Sequence, residues 1–195
     1  MNITPIKLNS PELDKGISIM QALKNRKSER KLSSKKLSLQ DLSELLWAAN
    51  GVNREDGKRT APSALNRHSV DVYVVLQEGV YLYEPVKHQL LPIVEGDFRK
   101  LAGRQDYVYT APLNLIYVTD LEKLKDLPMR PPTDEKLTWV YIEAGHKAEN
   151  VCLYCASEGL GVATRTLIDK EKFGNVIRLR SEQIVVSAQT VGYRE

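Results

Sequence analysis

VDVYVVLQEGVYLYE, residues 70–84, is the stretch on which the fold turns. Two runs of β-branched and aromatic residues, Val70–Leu76 and Val80–Glu84, flank the short connection Gln77-Glu78-Gly79. Such side chains suit a pleated, packed surface, and a turn this short containing glycine joins neighbouring antiparallel strands, so the stretch predicts a β-hairpin. Downstream, Gln89–Ile93 extends the meander, and after a short helix near Asp97–Leu101 the segment PLNLIYVTD (112–120) reads as another strand. A last strand is expected over Gln183–Val191.

Helical spacing appears on both sides of this β-rich middle. Ile17–Arg26 carries Ile17, Met20, Ala22 and Leu23 on a rough apolar face and runs into the basic cluster NRKSERK. The next helix is sharper: Ser38 with Asp41 three residues on resembles a capping box, Leu39, Leu42, Leu45, Leu46 and Ala49 form the stripe, and Gly51 follows. Gly51–Ser69 reads as a long loop. Leu121–Lys136 contains Pro128, Pro131 and Pro132 and cannot be one helix, because proline lacks the amide donor and clashes with the preceding turn. The longest helix is expected over Thr138–Glu158, with Trp139, Ile142, Ala148, Val151, Cys152 and Cys155 in helical register and Gly159 ending it before a further strand. The expected fold is α+β, a central, mostly antiparallel sheet of about five strands flanked by helices.

The 195 residues, 42% hydrophobic, are enough for one substantial core, so a single domain over 1–195 is expected. Lys and Arg total 28 against 25 Asp and Glu, and the resulting +3 is too small for a protein that works by coating a polyanion. No stretch approaches the ~18 uninterrupted apolar residues of a bilayer span, and MNITPIKLNSPELDKG has no apolar leader core. A cytoplasmic protein is expected, with export after removal of a leader left open. Cys152 and Cys155 have CxxC spacing, but a redox pair of that kind opens a helix after a strand, whereas these lie within a helical run and read as buried packing thiols. The spacings of His68, His88 and His146 match no metal motif.

Three separated segments could face an anionic, planar ligand. In Arg26-Lys27-Ser28-Glu29-Arg30, an extended chain would put Arg26, Ser28 and Arg30 on one side, two planar forks and a hydroxyl suited to phosphate oxygens. Alone, the run is as well explained as a solvated basic face. In Ala61-Pro62-Ser63-Ala64-Leu65-Asn66, small residues permit close backbone approach and Ser63 and Asn66 offer polar groups, though an ordinary turn has the same composition. In Glu158–Thr166, the two glycines of EGLG are either a helix stop or a place where backbone amides meet a ligand.

In chain order, RKSER (26–30), LSELLWAANG (42–51), APSALN (61–66), EGLG (158–161) and QTVGY (189–193) together resemble the nitroreductase superfamily over nearly the whole chain. The resemblance implies a homodimer with non-covalent FMN at the interface. Arg26 and Ser28, with Lys27 beside them, would hold the phosphate and ribityl side, and Arg30 would lie near the pyrimidine edge, where a cation stabilises charge gained on reduction. Pro62, Ser63, Ala64, Leu65 and Asn66 would approach the flavin from the partner chain, and backbone near Arg165 and Thr166 would reach its N5 and O4 edge. Gln105 falls where the family often has an amide bonding the pyrimidine. Relatives often carry a basic tail beyond the GY turn, whose part would fall either to Arg194 or to Arg26 and Lys27, and His68 stands where relatives often have a small polar residue. The implied reaction passes hydride from NAD(P)H through the flavin to nitroaromatic, quinone or similar acceptors by a ping-pong route. Stacking and distance carry that chemistry, and no side chain is assigned as general acid or base.

Two other readings are weighed. A flavin-dependent dehydrogenase of the SagB-like type would use the same scaffold for different chemistry. A nucleic-acid-binding module built on the basic residues of 24–36 lacks the interleaved aromatics that stack bases.

Overall fold

A computed structural model describes residues 3–127 and 132–195. Seven strands form one sheet: β1 (Ile6–Lys7), β2 (Val70–Val75), β3 (Gly79–Glu84), β4 (Gln89–Glu95), β5 (Leu113–Asp120), β6 (Leu160–Arg165) and β7 (Gln183–Tyr193). Their order is β1-β4-β3-β2-β5-β7-β6, and each neighbouring pair is antiparallel. The hairpin is β2–β3, with Val75 opposite Val80. The fold is α+β, as expected, with seven strands where about five were expected. β6 is the further strand read after Gly159; β1 has two residues, too few to show a period.

Helices α1 (Ile19–Asn25), α2 (Leu39–Asn50), α3 (Asp106–Thr110), α4 (Thr133–Ser157) and α5 (Lys170–Val176) surround the sheet. Alternation along the central strands divides the core. Val72, Val74, Leu113, Leu115 and Tyr117 pack with Leu45 and Leu46 of α2 and Val151 and Cys155 of α4. Tyr73, Val75, Ile116 and Val118 pack with Val108 of α3 and Phe173 of α5. Because both faces are covered, β5 is buried at every position, which explains why its sequence is apolar without alternation.

The α2 cap forms as the sequence implies: Ser38 Oγ accepts the Asp41 N–H at 3.0 Å and donates to the Asp41 carboxylate at 2.7 Å. The long helix begins earlier than expected, at Thr133, because Pro132 occupies its N-cap, where a missing amide proton costs nothing. Pro128 and Pro131 of the expected connection lie outside the described residues; Leu121–Leu124 forms a 3-10 turn. Cys152 and Cys155 are free thiols buried within α4. The apolar face read on the first helix does not enter its own chain's core: Ala22 is buried, while Ile17, Met20 and Leu23 are exposed, Met20 by 71%. Ile142 on α4 is exposed as well, whereas Val140, Ala144, Ala148 and Val151 point inward. Among the described residues, no helix is long and apolar enough to cross a membrane.

Candidate functional site

Strand β6 is the last in the sheet order, so its outer edge offers backbone groups with no strand beside them. Residues 26–33 run along that edge. Arg26 caps α1, its N–H bonding the Ala22 carbonyl; the Glu29 N–H then donates to Val162 O at 2.8 Å, and the Ser33 N–H to Tyr193 O at 2.9 Å. Glu29 turns toward Gly161, where a Cβ would lie 3.0 Å from Glu29 Cγ and 2.4 Å from Leu32 Cδ2. Glycine is thus needed there for the segment to lie so close. The Glu29 carboxylate accepts the N–H groups of Lys31 and Arg30, which hold it below the usual carboxylate range. Lys27 pairs with it at 3.6 Å. Arg26, Ser28 and Arg30 are left on the outside, and among the described residues neither arginine has a carboxylate partner.

The end of the chain joins the same edge. Arg194 bridges Leu32, its Nε donates to Leu160 O at 3.0 Å, and the Glu195 N–H meets Lys31 O at 3.4 Å. Four separated basic residues, Arg26, Lys27, Arg30 and Arg194, are therefore gathered along one strip.

At the far end of β6 the surroundings are enclosed. Thr166 is exposed just past the strand, whereas the Arg165 side chain turns inward and donates to Thr190 Oγ1, Asn114 Oδ1 and the Ala102 carbonyl. Burial lowers its pKa to about 10. Gln105 occupies the N-cap position of α3 without capping it, and its Oε1 is buried with no hydrogen-bond partner. Gly103 separates the two: a Cβ there would lie 2.5 Å from Arg165 Nε and 3.2 Å from Gln105 Oε1.

Pro62–Asn66 lies elsewhere, against the first half of α4, where Pro62, Ser63 and Ala64 face Trp139, Ile142, Glu143 and His146 across a pocket of about 160 Å³. Its backbone is unusual: Leu65, Asn66 and His68 have φ of 49°, 57° and 47°, the left-handed region that side chains other than Asn disfavour. Ser63 Oγ holds the turn, accepting the His68 N–H at 3.0 Å and lying 3.3 Å from His68 Nδ1. Burial first, then the charges of Arg59 and Lys147, pushes the His68 imidazole down to about 4, so the ring is neutral near pH 7.

Beneath this turn lies a network that sequence reasoning missed. Glu143 and Lys147, one helical turn apart on α4, form a buried ion pair. Glu143 also accepts Ser69 Oγ–H at 2.7 Å and the N–H groups of Ser69 and Val70, each at 3.1 Å. Burial would raise its pKa, but Lys147 and these donors outweigh burial and hold it below the usual carboxylate range. A second hub is Gln189 of the QTVGY motif. Its Oε1 accepts Tyr117 O–H at 2.6 Å while Nε2 donates to Ala148 O and Thr164 Oγ1, each at 2.9 Å, locking a hydroxyl of β6 in place. No sequence signal marked Glu143 or Lys147, which sit in a helix that reads as an ordinary amphipathic one.

Within one chain the pieces remain apart. Glu143 lies under the Pro62 loop and Cys152 lies beside Thr164 on β6, nine residues on, which is about 13 Å along α4. The exposed apolar side chains include Tyr141 and Ile142 on α4, the latter at the Pro62 pocket, and Ile19, Met20 and Leu23 on α1.

The profile of the nitroreductase family matches residues 23–193. A protein of Methanocaldococcus jannaschii, called a nitroreductase by inference, is 29% identical over 191 residues, covering 93% of this chain and 94% of that one. A crystal structure of another such protein, from Ralstonia eutropha JMP134, is 38% identical, superimposes with a TM-score of 0.91, and spans 99% of this chain and 90% of its own. The NADPH:FMN oxidoreductase of Vibrio harveyi, solved with NAD+, is 16% identical with a TM-score of 0.66 over 91% of this chain and 69% of its own, and so shares the fold alone.

Proposed function

Because the chain belongs to the nitroreductase family, we propose that it is an oxidoreductase that holds FMN without a covalent bond and passes hydride from NADH or NADPH to small acceptors such as nitroaromatics or quinones. Its main support is the contrast between the two ends of β6: at one end an exposed strip of cations in which, among the described residues, Arg26 and Arg30 have no carboxylate partner, and at the other a buried amide oxygen with no partner among those residues.

These features fit FMN chemically. A phosphate calls for guanidinium forks and hydroxyls, which Arg26 and Ser28 supply, with Lys27 and Arg194 adding charge. Arg30 reaches toward the ring. The imide N–H of the pyrimidine calls for an acceptor, and Gln105 Oε1 is one with no partner among the described residues. Bound FMN supplies two-electron redox chemistry that no side chain offers. The protein's part is to orient, to exclude water and to hold charge, and no side chain is assigned as a general acid or base. Backbone at Arg165 and Thr166 would meet the N5 and O4 edge of the bound ring.

The proposed assembly is a homodimer, each chain one domain acting in the cytoplasm. Its support is the apolar surface on α1 and α4 and the distance, within one chain, between the Pro62 loop and the β6 edge. In the dimer, Pro62, Ser63, Ala64, Leu65 and Asn66 of one copy close over the flavin of the other. The visible spectrum of the purified protein tests the reading, together with identification of any flavin released on denaturation and light scattering for mass. Yellow protein that releases FMN and has the mass of two chains is expected. Colourless protein that also fails to take up added FMN overturns it.

A further inference from the structure

Arg165 carries a positive charge that no carboxylate among the described residues offsets. Only 7% exposed, its guanidinium donates to three neutral acceptors, Thr190 Oγ1, Asn114 Oδ1 at 2.9 Å and the Ala102 carbonyl at 2.7 Å. Its Nε is buried with no acceptor among the described residues. Among the described residues it forms no ion pair, and the one ionisable side chain whose field it feels is Tyr107, a phenol and not a carboxylate. The same molecule balances its other deeply buried cation, Lys147, with Glu143. Taking a charge out of water is costly unless it is paired, so a bare buried guanidinium implies an anion from outside the chain.

We propose that Arg165 is a positioning residue that sets the flavin's reduction potential, its fixed charge acting across Gly103 and through Gln105 on the pyrimidine end of the ring. This rests on the FMN reading above. The charge balance gives the reason. A dihydronicotinamide delivers two electrons and one proton as hydride and departs as the nicotinamide cation, so the neutral oxidised ring gains one negative charge. Arg165 offsets that charge without moving. Because it is enclosed, its field is little weakened by water or salt, unlike those of the exposed Arg26 and Arg30. Gly103 keeps the path short, since any side chain there would push the guanidinium and the Gln105 amide apart.

The test uses the FMN-loaded protein, with Arg165→Met and Arg165→Lys, measuring both the affinity for oxidised FMN and the midpoint potential. The Met variant is expected to bind oxidised FMN within about threefold of the parent but the reduced form roughly ten- to a hundredfold more weakly, a potential lower by about 30–60 mV for a two-electron couple. The Lys variant should keep most of the parent's preference. An unchanged potential in the Met variant, or equal weakening of both forms, makes Arg165 structural only and overturns the proposal. Should that variant fail to fold, salt decides with the parent protein. A ratio of reduced to oxidised affinity that stays constant from low to high salt supports an enclosed charge, and one that changes more than about tenfold assigns the effect to exposed cations and overturns the proposal. A parent chain that takes up no FMN overturns both this and the functional reading.

Discussion

Replacing Glu143 by Ala removes the carboxylate that neutralises Lys147 and that accepts from Ser69 and Val70. Both members of the pair are buried, and the lysine cannot reach water without opening α4 from the sheet. Breaking a buried pair from one side costs about 3–5 kcal/mol, because the remaining charge is stranded. Unfolding in urea, at one protein and one flavin concentration, is expected to show a loss in that range. The double variant Glu143→Leu with Lys147→Met is expected to lose clearly less than Glu143→Ala, since no charge is then left unpaired. The acid side adds a second check. Glu143 has a folded pKa below its unfolded value, so its contribution is complete above the ordinary carboxylate pKa of about 4.3 and fades as pH falls through the lower folded value. The parent should lose that component on acidification and the Glu143→Ala variant should have none to lose. A single variant as stable as the parent, or a double variant worse than the single, would refute the claim that desolvated charge dominates at this site.

Other outcomes follow from the site. Gln105→Leu removes the acceptor whose oxygen has no partner among the described residues, and FMN affinity should fall by about 1–3 kcal/mol with little change in melting temperature. Fluorescence titration measures it, and unaltered affinity would remove Gln105 from the site. Arg26→Ala should weaken FMN binding and flatten its salt dependence, read from affinities at several ionic strengths. Gly161→Val places carbon where the Leu32 and Glu29 side chains pack, so those side chains must shift and the 26–32 segment is disturbed; FMN affinity should drop by more than the change in stability accounts for. His68 is held neutral, with a folded pKa of about 4 against an ordinary 6.5, so stability should fall as pH drops from 6.5 toward 4, and His68→Gln should reduce that slope, leaving the part due to His88, whose imidazole burial also pushes down.

Much of the fold was legible in the sequence because it is written in local rules. The Ser38–Asp41 cap, the Leu42–Ala49 stripe, the β2–β3 hairpin and the apolar β5 each follow from neighbours a few residues apart, and each appears in the structure at its expected place. The candidate site was legible only as separate segments, each with an ordinary explanation of its own, and the family resemblance joined them. Tertiary structure alone decided which cations meet and which are enclosed. Arg194 reaches the strip of Arg26 and Arg30 because β7 ends beside Leu32, and Arg165 points into the core without a counter-charge because β6 turns that face toward α3. It also decided that the apolar residues of α1 stay outside their own core. Periodicity records that a side chain is apolar or charged, but its partner is set by strand order and helix packing, which bring together residues more than a hundred positions apart.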